Sequence, residues 1–214
     1  MEESMIKVFN TPRPYISWSQ LSLVLSDPER YRQVYVLGND NFKLGSAEMT
    51  KGSKIHKCLE TGEESKDDDI EFVKEMMPET YKKLKIKEYP ITVMCDRIPV
   101  FGKFDAFNKK TLELAEVKTG TTKWTQRMVD TNKQITMYSL MIYCKFKKLP
   151  SKITLYHIKT IKEDNKIVAT GEIESFQTKR TMVDILSFQQ KMQVAWNKII
   201  ELTTKEYKSA KLIF

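Results

Sequence analysis

The run Gly102-Lys103-Phe104-Asp105-Ala106-Phe107, the polar Asn108-Lys109-Lys110, and Thr111-Leu112-Glu113-Leu114-Ala115-Glu116-Val117-Lys118-Thr119-Gly120 decide how this chain is read. Two short stretches rich in apolar residues flank a turn, the pattern of an antiparallel hairpin. A third stretch, 86–95, precedes them across Asp96-Arg97, so 86–95, 98–107 and 111–119 make an antiparallel meander. Within the last of these, Glu116 and Lys118 are two apart and share a face, with Val117 turned into the opposite layer.

On either side of the meander the period is helical. A first helix starts at Ser17, where Ser17-Trp18-Ser19-Gln20 has the spacing of a capping box, and ends or kinks at Asp27-Pro28. A second runs from about Ser46 to Glu60 with Ile55 and Leu59 on one face. A third lies within Asp68 to Leu84, its acidic residues favoured near the positive end of the helix dipole. Residues 125–145 return to helical spacing, 152–160 and 167–177 read as two more strands, and 179–206 form a long amphipathic helix. Its stripe is Met182, Ile185, Met192, Ala195, Trp196 and Ile199. The expected fold is an α/β three-layer sandwich, a central mixed sheet flanked by helices and closed by the long C-terminal helix.

The composition is that of an ordinary globular protein: of 214 residues, 41% are hydrophobic and 30% charged, so a disordered chain is excluded. With no Gly/Ser- or Pro-rich linker and no internal repeat, residues 1–214 read as a single domain with its motif core at about 46–145. No apolar run approaches the roughly 20 residues that span a bilayer, and Met1-Glu2-Glu3-Ser4 lacks the pattern of a signal peptide. Cys58, Cys95 and Cys144 have no short spacing, which argues against a disulfide framework or zinc knuckle and for a reducing, cytoplasmic setting. Net charge is +8, and residues 121–214 hold 17 basic and 8 acidic residues, a surplus of 9. A basic half fits a polyanion such as nucleic acid, and solvated lysine-rich faces would give the same count. The stretch Glu60 to Glu75, with eight carboxylates, reads as a solvated face.

If the hairpin turns about Lys109-Lys110 and pairs Asn108 with Thr111, Asp105 faces Leu114. Glu116 is then its same-face diagonal neighbour at roughly 7–8 Å. Two carboxylates at that separation can bind one hard cation, and a one-residue slip would undo the arrangement. Phosphodiester hydrolysis uses such a cation to polarise a phosphoryl oxygen and acidify the attacking water. Lys118 beside the carboxylates can stabilise developing negative charge. A surface Glu-x-Lys pair is common in strands, so these three residues alone leave a purely structural ion pair open. His56 in Gly52-Ser53-Lys54-Ile55-His56 sits on the second helix. Gln134 and Tyr138, four apart, share one face of the helix after the sheet. His157 reads as a packed or hydrogen-bonded residue, and Trp124 as a packed one, with stacking on a base as its alternative.

In order, Gly-x-x-x-His, Gly-x-x-Asp, Glu-x-Lys-Thr-Gly and Gln-x-x-x-Tyr resemble the RecB-like branch of the PD-(D/E)xK nuclease superfamily, which includes the CRISPR-adaptation nucleases. Tyr15-Ile16-Ser17-Trp18-Ser19-Gln20-Leu21 is similar to that branch's Ser-x-Ser-x-Leu start. The resemblance implies a restriction-endonuclease-like core and a metal-dependent exonuclease. His56, Asp105, Glu116 and the Val117 carbonyl would hold Mg²⁺ or Mn²⁺, and Asp105, Glu116 and Lys118 would be catalytic. Gln134 and Tyr138 would support the site or contact DNA, and Glu88 would have an auxiliary role. Many members of the branch carry an iron–sulfur cluster on one cysteine after the first helix and three near the C-terminus. Here Asp27 stands at the first position and no cysteine follows Cys144, so no iron–sulfur cluster is expected.

The expected partner is DNA, at ends or single strands, in recombination, repair or phage replication, in the cytoplasm of a cell or of a phage's host. No membrane partner is expected, and a helicase or recombination partner is left open. The competing reading is a non-catalytic DNA-binding or assembly subunit that keeps the fold. A site-specific endonuclease would need a recognition element for which 214 residues leave little room.

Overall fold

The structure, a computed structural model, describes residues 12–42 and 45–211, with only the helical backbone described from 205 onward. The opening Met1–Ser4 therefore lies outside the described residues. Among them, no helix is long and apolar enough to cross a membrane.

Eight α-helices and five strands follow one another in the described residues: α1 (Trp18–Ser26), α2 (Pro28–Tyr31), α3 (Ala47–Thr61), α4 (Asp68–Met76), α5 (Glu79–Lys82), β1 (Ile86–Cys95), β2 (Ile98–Asn108), β3 (Glu113–Gly120), α6 (Gln126–Asp130), α7 (Lys133–Phe146), β4 (Lys152–Glu163), β5 (Lys166–Thr178) and α8 (Met182–Lys211). The sheet runs in sequence order, antiparallel except for the β3–β4 pair. A parallel pair needs a crossover, and α6 and α7 supply it. On one face α1, α7 and α8 bury Leu21, Ile135, Met141, Ile185 and Trp196 against Val93, Val100, Leu114 and Leu155. On the other, α3, α4 and α5 bury Ile55, Val73 and Tyr81 against Ala115, Val117 and Ile158. The expected three-layer architecture is what the chain adopts.

Local signals set most boundaries. Asp96 and Arg97 take φ of 49° and 65°, Asp164 and Asn165 φ of 44° and 64°, giving the two-residue turns that join β1 to β2 and β4 to β5. Asp27 ends α1 and caps α2 by accepting the Arg30 N–H.

Four expectations need correction. The Asn108 side chain accepts the N–H groups of Lys110 and Thr111, and Leu112 takes φ of 56°, so the turn spans four residues. Asn108 consequently pairs with Glu113 and not with Thr111. The offset is two residues, an even number, so Glu116 and Lys118 keep their shared face, but Asp105 comes into the same row as Glu116 and turns to His56 of α3. No capping box forms at Ser17, whose hydroxyl meets the Ser19 hydroxyl at 3.0 Å. The helix expected within 68–84 is two helices, because Pro78 holds Met77 extended with ψ of 132°. Met182 lies on the exposed side of α8, where Phe188 joins the buried stripe in its place.

Candidate active site

The site lies where the sheet loses its ladder. β2 and β3 pair only from Ala106↔Ala115 to Asn108↔Glu113, while β3 continues along β4 over its full length. Further up, β2 instead pairs with Ile16, which donates to the Pro99 carbonyl and accepts from the Phe101 N–H. On the other side, β1 and β2 pair on either side of Glu88 but skip it. Glu88 takes φ of 48°, a left-handed conformation that a β-strand residue adopts only under strain. Counting along both registers puts Glu88, Asp105 and Glu116 in one row across three strands, and the row is where both ladders open.

Helix α3 brings His56 to that row. A Cβ on Gly52 would stand 2.7 Å from the Thr119 Oγ1, so only glycine lets α3 lie this close to β3, and His56 is one turn further on. The Nδ1 of His56 is 3.5 Å from Glu88 Oε1 and 3.5 Å from Asp105 Oδ1. His56, Glu88 and Asp105 each offer a ligand atom, all within 4.8 Å of one another. The second Asp105 oxygen accepts the Val117 N–H at 2.6 Å, and the Val117 side chain packs in the α3–α4 layer.

Glu116 and Lys118 point to the α7 side. Glu116 Oε1 is 2.6 Å from Lys118 Nζ, which donates to Gln134 Oε1 at 2.7 Å. Gln134 donates in turn to the Tyr138 hydroxyl, which donates to the Lys103 carbonyl at 3.0 Å. Gly102 makes room for this chain, since a Cβ there would lie 3.1 Å from the Tyr138 ring. Glu116 is 1% exposed, and its Oε2 has no hydrogen-bond partner.

The charges are out of balance. Burial, with the Asp105 carboxylate adding to it, pushes Glu116 up to about 7. Burial alone would lower His56, but its contacts with Asp105 and Glu88 overcome that and raise it to about 10. Burial likewise opposes and Glu116 then raises Lys118. Without a metal the site holds protons to offset its carboxylates. An orphaned buried carboxylate oxygen beside a histidine and two more carboxylates is a donor set that suits a divalent cation such as Mg²⁺ or Mn²⁺.

The structure thus brings together His56, Asp105, Glu116, Val117, Lys118, Gln134 and Tyr138. The geometry also draws in Glu88, as part of the His56–Asp105 cluster, and Lys103, whose amine meets Glu88 Oε2 at 2.7 Å. Pro90, two residues past Glu88 in a strand, was the available sign of an irregular ladder. His157 is buried against the Gly120 carbonyl, and Trp124 packs on the core, both as expected.

No family model and no curated protein matches the chain by sequence. Two crystal structures share its fold at 13% identity. One, from Eubacterium rectale, is described as a candidate exonuclease, with a TM-score of 0.59 over 90% of this chain and 82% of that one. The other is LHK-Exo, an alkaline exonuclease from Laribacter hongkongensis, in complex with dAMP, with a TM-score of 0.50 over 99% and 100%.

Proposed function

We propose that this chain is a single-domain, Mg²⁺- or Mn²⁺-dependent deoxyribonuclease of the RecB-like PD-(D/E)xK branch, an exonuclease acting on DNA ends or single strands. The observation that carries the reading is the cluster of His56, Glu88 and Asp105 in the row that also holds Glu116, which pairs with Lys118 and leaves one buried oxygen unpartnered. A binding subunit has no use for a buried carboxylate that keeps one oxygen unpartnered, because desolvating that oxygen is costly. That both fold neighbours are described as exonucleases supports the reading, as does the deoxynucleoside monophosphate held by LHK-Exo, the class of product an exonuclease releases. The setting that follows is DNA processing in recombination, repair or phage replication.

In this reading His56, Asp105, Glu116 and the Val117 carbonyl hold the metal, with Glu88 at its edge. The metal supplies Lewis acidity toward a phosphoryl oxygen and an acidified water for attack. The chain's own groups do the positioning. Asp105 is fixed by the Val117 N–H, so the separation of the two carboxylates is set by backbone. Lys118 is held between Glu116 and Gln134, fully charged, where it can stabilise negative charge developing on the phosphate. Tyr138 braces Gln134 from behind and so keeps Lys118 aimed.

The test is digestion of end-labelled linear and circular DNA with Mg²⁺, Mn²⁺ or EDTA. Expected are nucleotide release from linear DNA with either ion, circles spared, and no cleavage in EDTA. Undiminished cleavage in chelator, or no cleavage with any ion, overturns the reading.

A further inference from the structure

We propose that Lys103 is a displaceable resident cation of the metal centre: it balances Glu88 while no divalent ion is bound, and moves to a DNA backbone phosphate once one is. The inference rests on the nuclease reading above and adds a coupling between metal and substrate.

Glu88 is held at the site by a strained backbone, with φ of 48° and a side chain only 11% exposed. One of its oxygens faces His56 at 3.5 Å, and the other is 2.7 Å from the Lys103 amine. A carboxylate so enclosed is costly to leave without a counter-charge. Lys103 supplies one from β2, two residues before Asp105, yet its own side chain is 45% exposed. Its second neighbour is Glu60 of α3 at 3.6 Å, also at the surface. Lys118, by contrast, is clamped between Glu116 and Gln134. The two lysines therefore differ in kind: one is fixed within the site, the other stands at its mouth on a flexible stem.

A divalent cation among His56, Glu88 and Asp105 would draw off the Glu88 charge and repel the ammonium. An ammonium is a compact point charge with three rotatable donors, suited to changing partners without a set geometry. Glu60, exposed, would hold it only weakly. The anion that arrives at this mouth is the phosphate backbone of DNA, which a freed Lys103 can contact. Metal binding then prepares a phosphate contact, and DNA binding, by reciprocity, tightens the metal.

The test is calorimetric titration of the full chain with Mn²⁺, alone and with a short duplex carrying cleavage-resistant phosphorothioate linkages. Without DNA, Lys103→Met should bind Mn²⁺ about two- to fivefold more tightly than wild type, the range expected on removing one competing ion pair. Lys103→Arg, which keeps the pair, should stay near wild type. Adding the duplex should tighten Mn²⁺ binding in wild type, and Lys103→Met should lose most of that gain. If Lys103 merely shapes Glu88 for the metal, Lys103→Met binds Mn²⁺ equally or more weakly, and the proposal is overturned; an undiminished DNA-linked gain overturns it as well. Wild type that binds no Mn²⁺ overturns the nuclease reading itself, a separate outcome.

Discussion

The Asp105 carboxylate accepts the Val117 N–H at 2.6 Å across the point where β2 and β3 leave each other's ladder. One oxygen thus does the work of a missing strand-to-strand bond, and the other is free to face His56 at 3.5 Å. The same side chain closes the sheet and opens the site.

That double duty separates two substitutions. Asp105→Asn keeps an acceptor for the Val117 N–H and should fold with a near wild-type melting temperature, while losing a negative metal ligand and essentially all cleavage. Asp105→Ala should lose cleavage and also stability, by about 1–3 kcal/mol, because a buried N–H is left unpaired. Thermal melts of both variants beside cleavage assays check this; equal stability would mean that the hydrogen bond carries no structural weight.

Lys118→Ala should lower turnover by about 10²-fold or more, the scale for removing one electrostatic stabiliser. DNA affinity should barely change, since one phosphate contact among several contributes little. A folded variant that cuts end-labelled DNA at the wild-type rate would remove Lys118 from the site. A binding module predicts the reverse ranking, weaker binding and no cleavage to lose.

Gly52→Ala should push α3 away from β3, because its new Cβ would meet the Thr119 hydroxyl at 2.7 Å. Overpacking of this kind costs about 1–3 kcal/mol, and His56 would move with the helix. Adding Thr119→Ala removes the opposing oxygen and leaves the Thr119 Cβ at 3.9 Å, an ordinary contact. The double variant should therefore regain both melting temperature and Mn²⁺ affinity. Absence of that rescue would show that the close approach does not place His56.

Metal-free stability should fall as pH rises. Burial beside Asp105 pushes Glu116 up to about 7 from its ordinary 4.5, and against the pull of burial Asp105 and Glu88 push His56 up to about 10 from 6.5. Both make the native state hold more protons than the unfolded chain from about pH 4.5 to about pH 10, so stability declines across that window. The His56 contribution is intact below about pH 6.5 and gone above about pH 10; the Glu116 penalty is complete above about pH 7. Glu88, lowered by its contacts with His56 and Lys103 despite its burial, opposes this trend only in acid. Saturating Mn²⁺ displaces those protons, so it should raise the melting temperature more at about pH 8 than at about pH 6. Differential scanning calorimetry in EDTA and in Mn²⁺ measures both slopes.

The layers, the strand order of the meander and the residues that converge were legible because each has a local signature. Apolar period marks the elements, Asp96-Arg97 marks a turn, and the motif residues fall in order. What was not legible depends on geometry that no period encodes. The Asn108 side chain builds a longer turn than its sequence neighbours suggested, so Asp105 and Glu116 stand in one row and not on a diagonal. The strain at Glu88 arises from two ladders opening at the same row, which is a property of three strands at once. Nothing in the sequence distinguishes Lys103 from the other lysines, and only its distance to Glu88 sets it apart.

The parallel pairing of β3 with β4 also governs when the site comes into being. The β1–β2 and β4–β5 hairpins close over two-residue turns and can form early from nearby residues. Joining Glu113 to Lys152 must wait for the whole α6–α7 crossover to be in place, and docking Gly52 against Thr119 spans a still longer loop. The first of these late closures brings Gln134 of α7 to Lys118 and the second brings His56 to Asp105, whereas Glu116 already stands beside Asp105 through the β2–β3 hairpin. A chain partway to its native state therefore has its hairpins and the paired Asp105 and Glu116 but lacks both His56 and the brace on Lys118, so the cluster is complete only once the last long loop has closed.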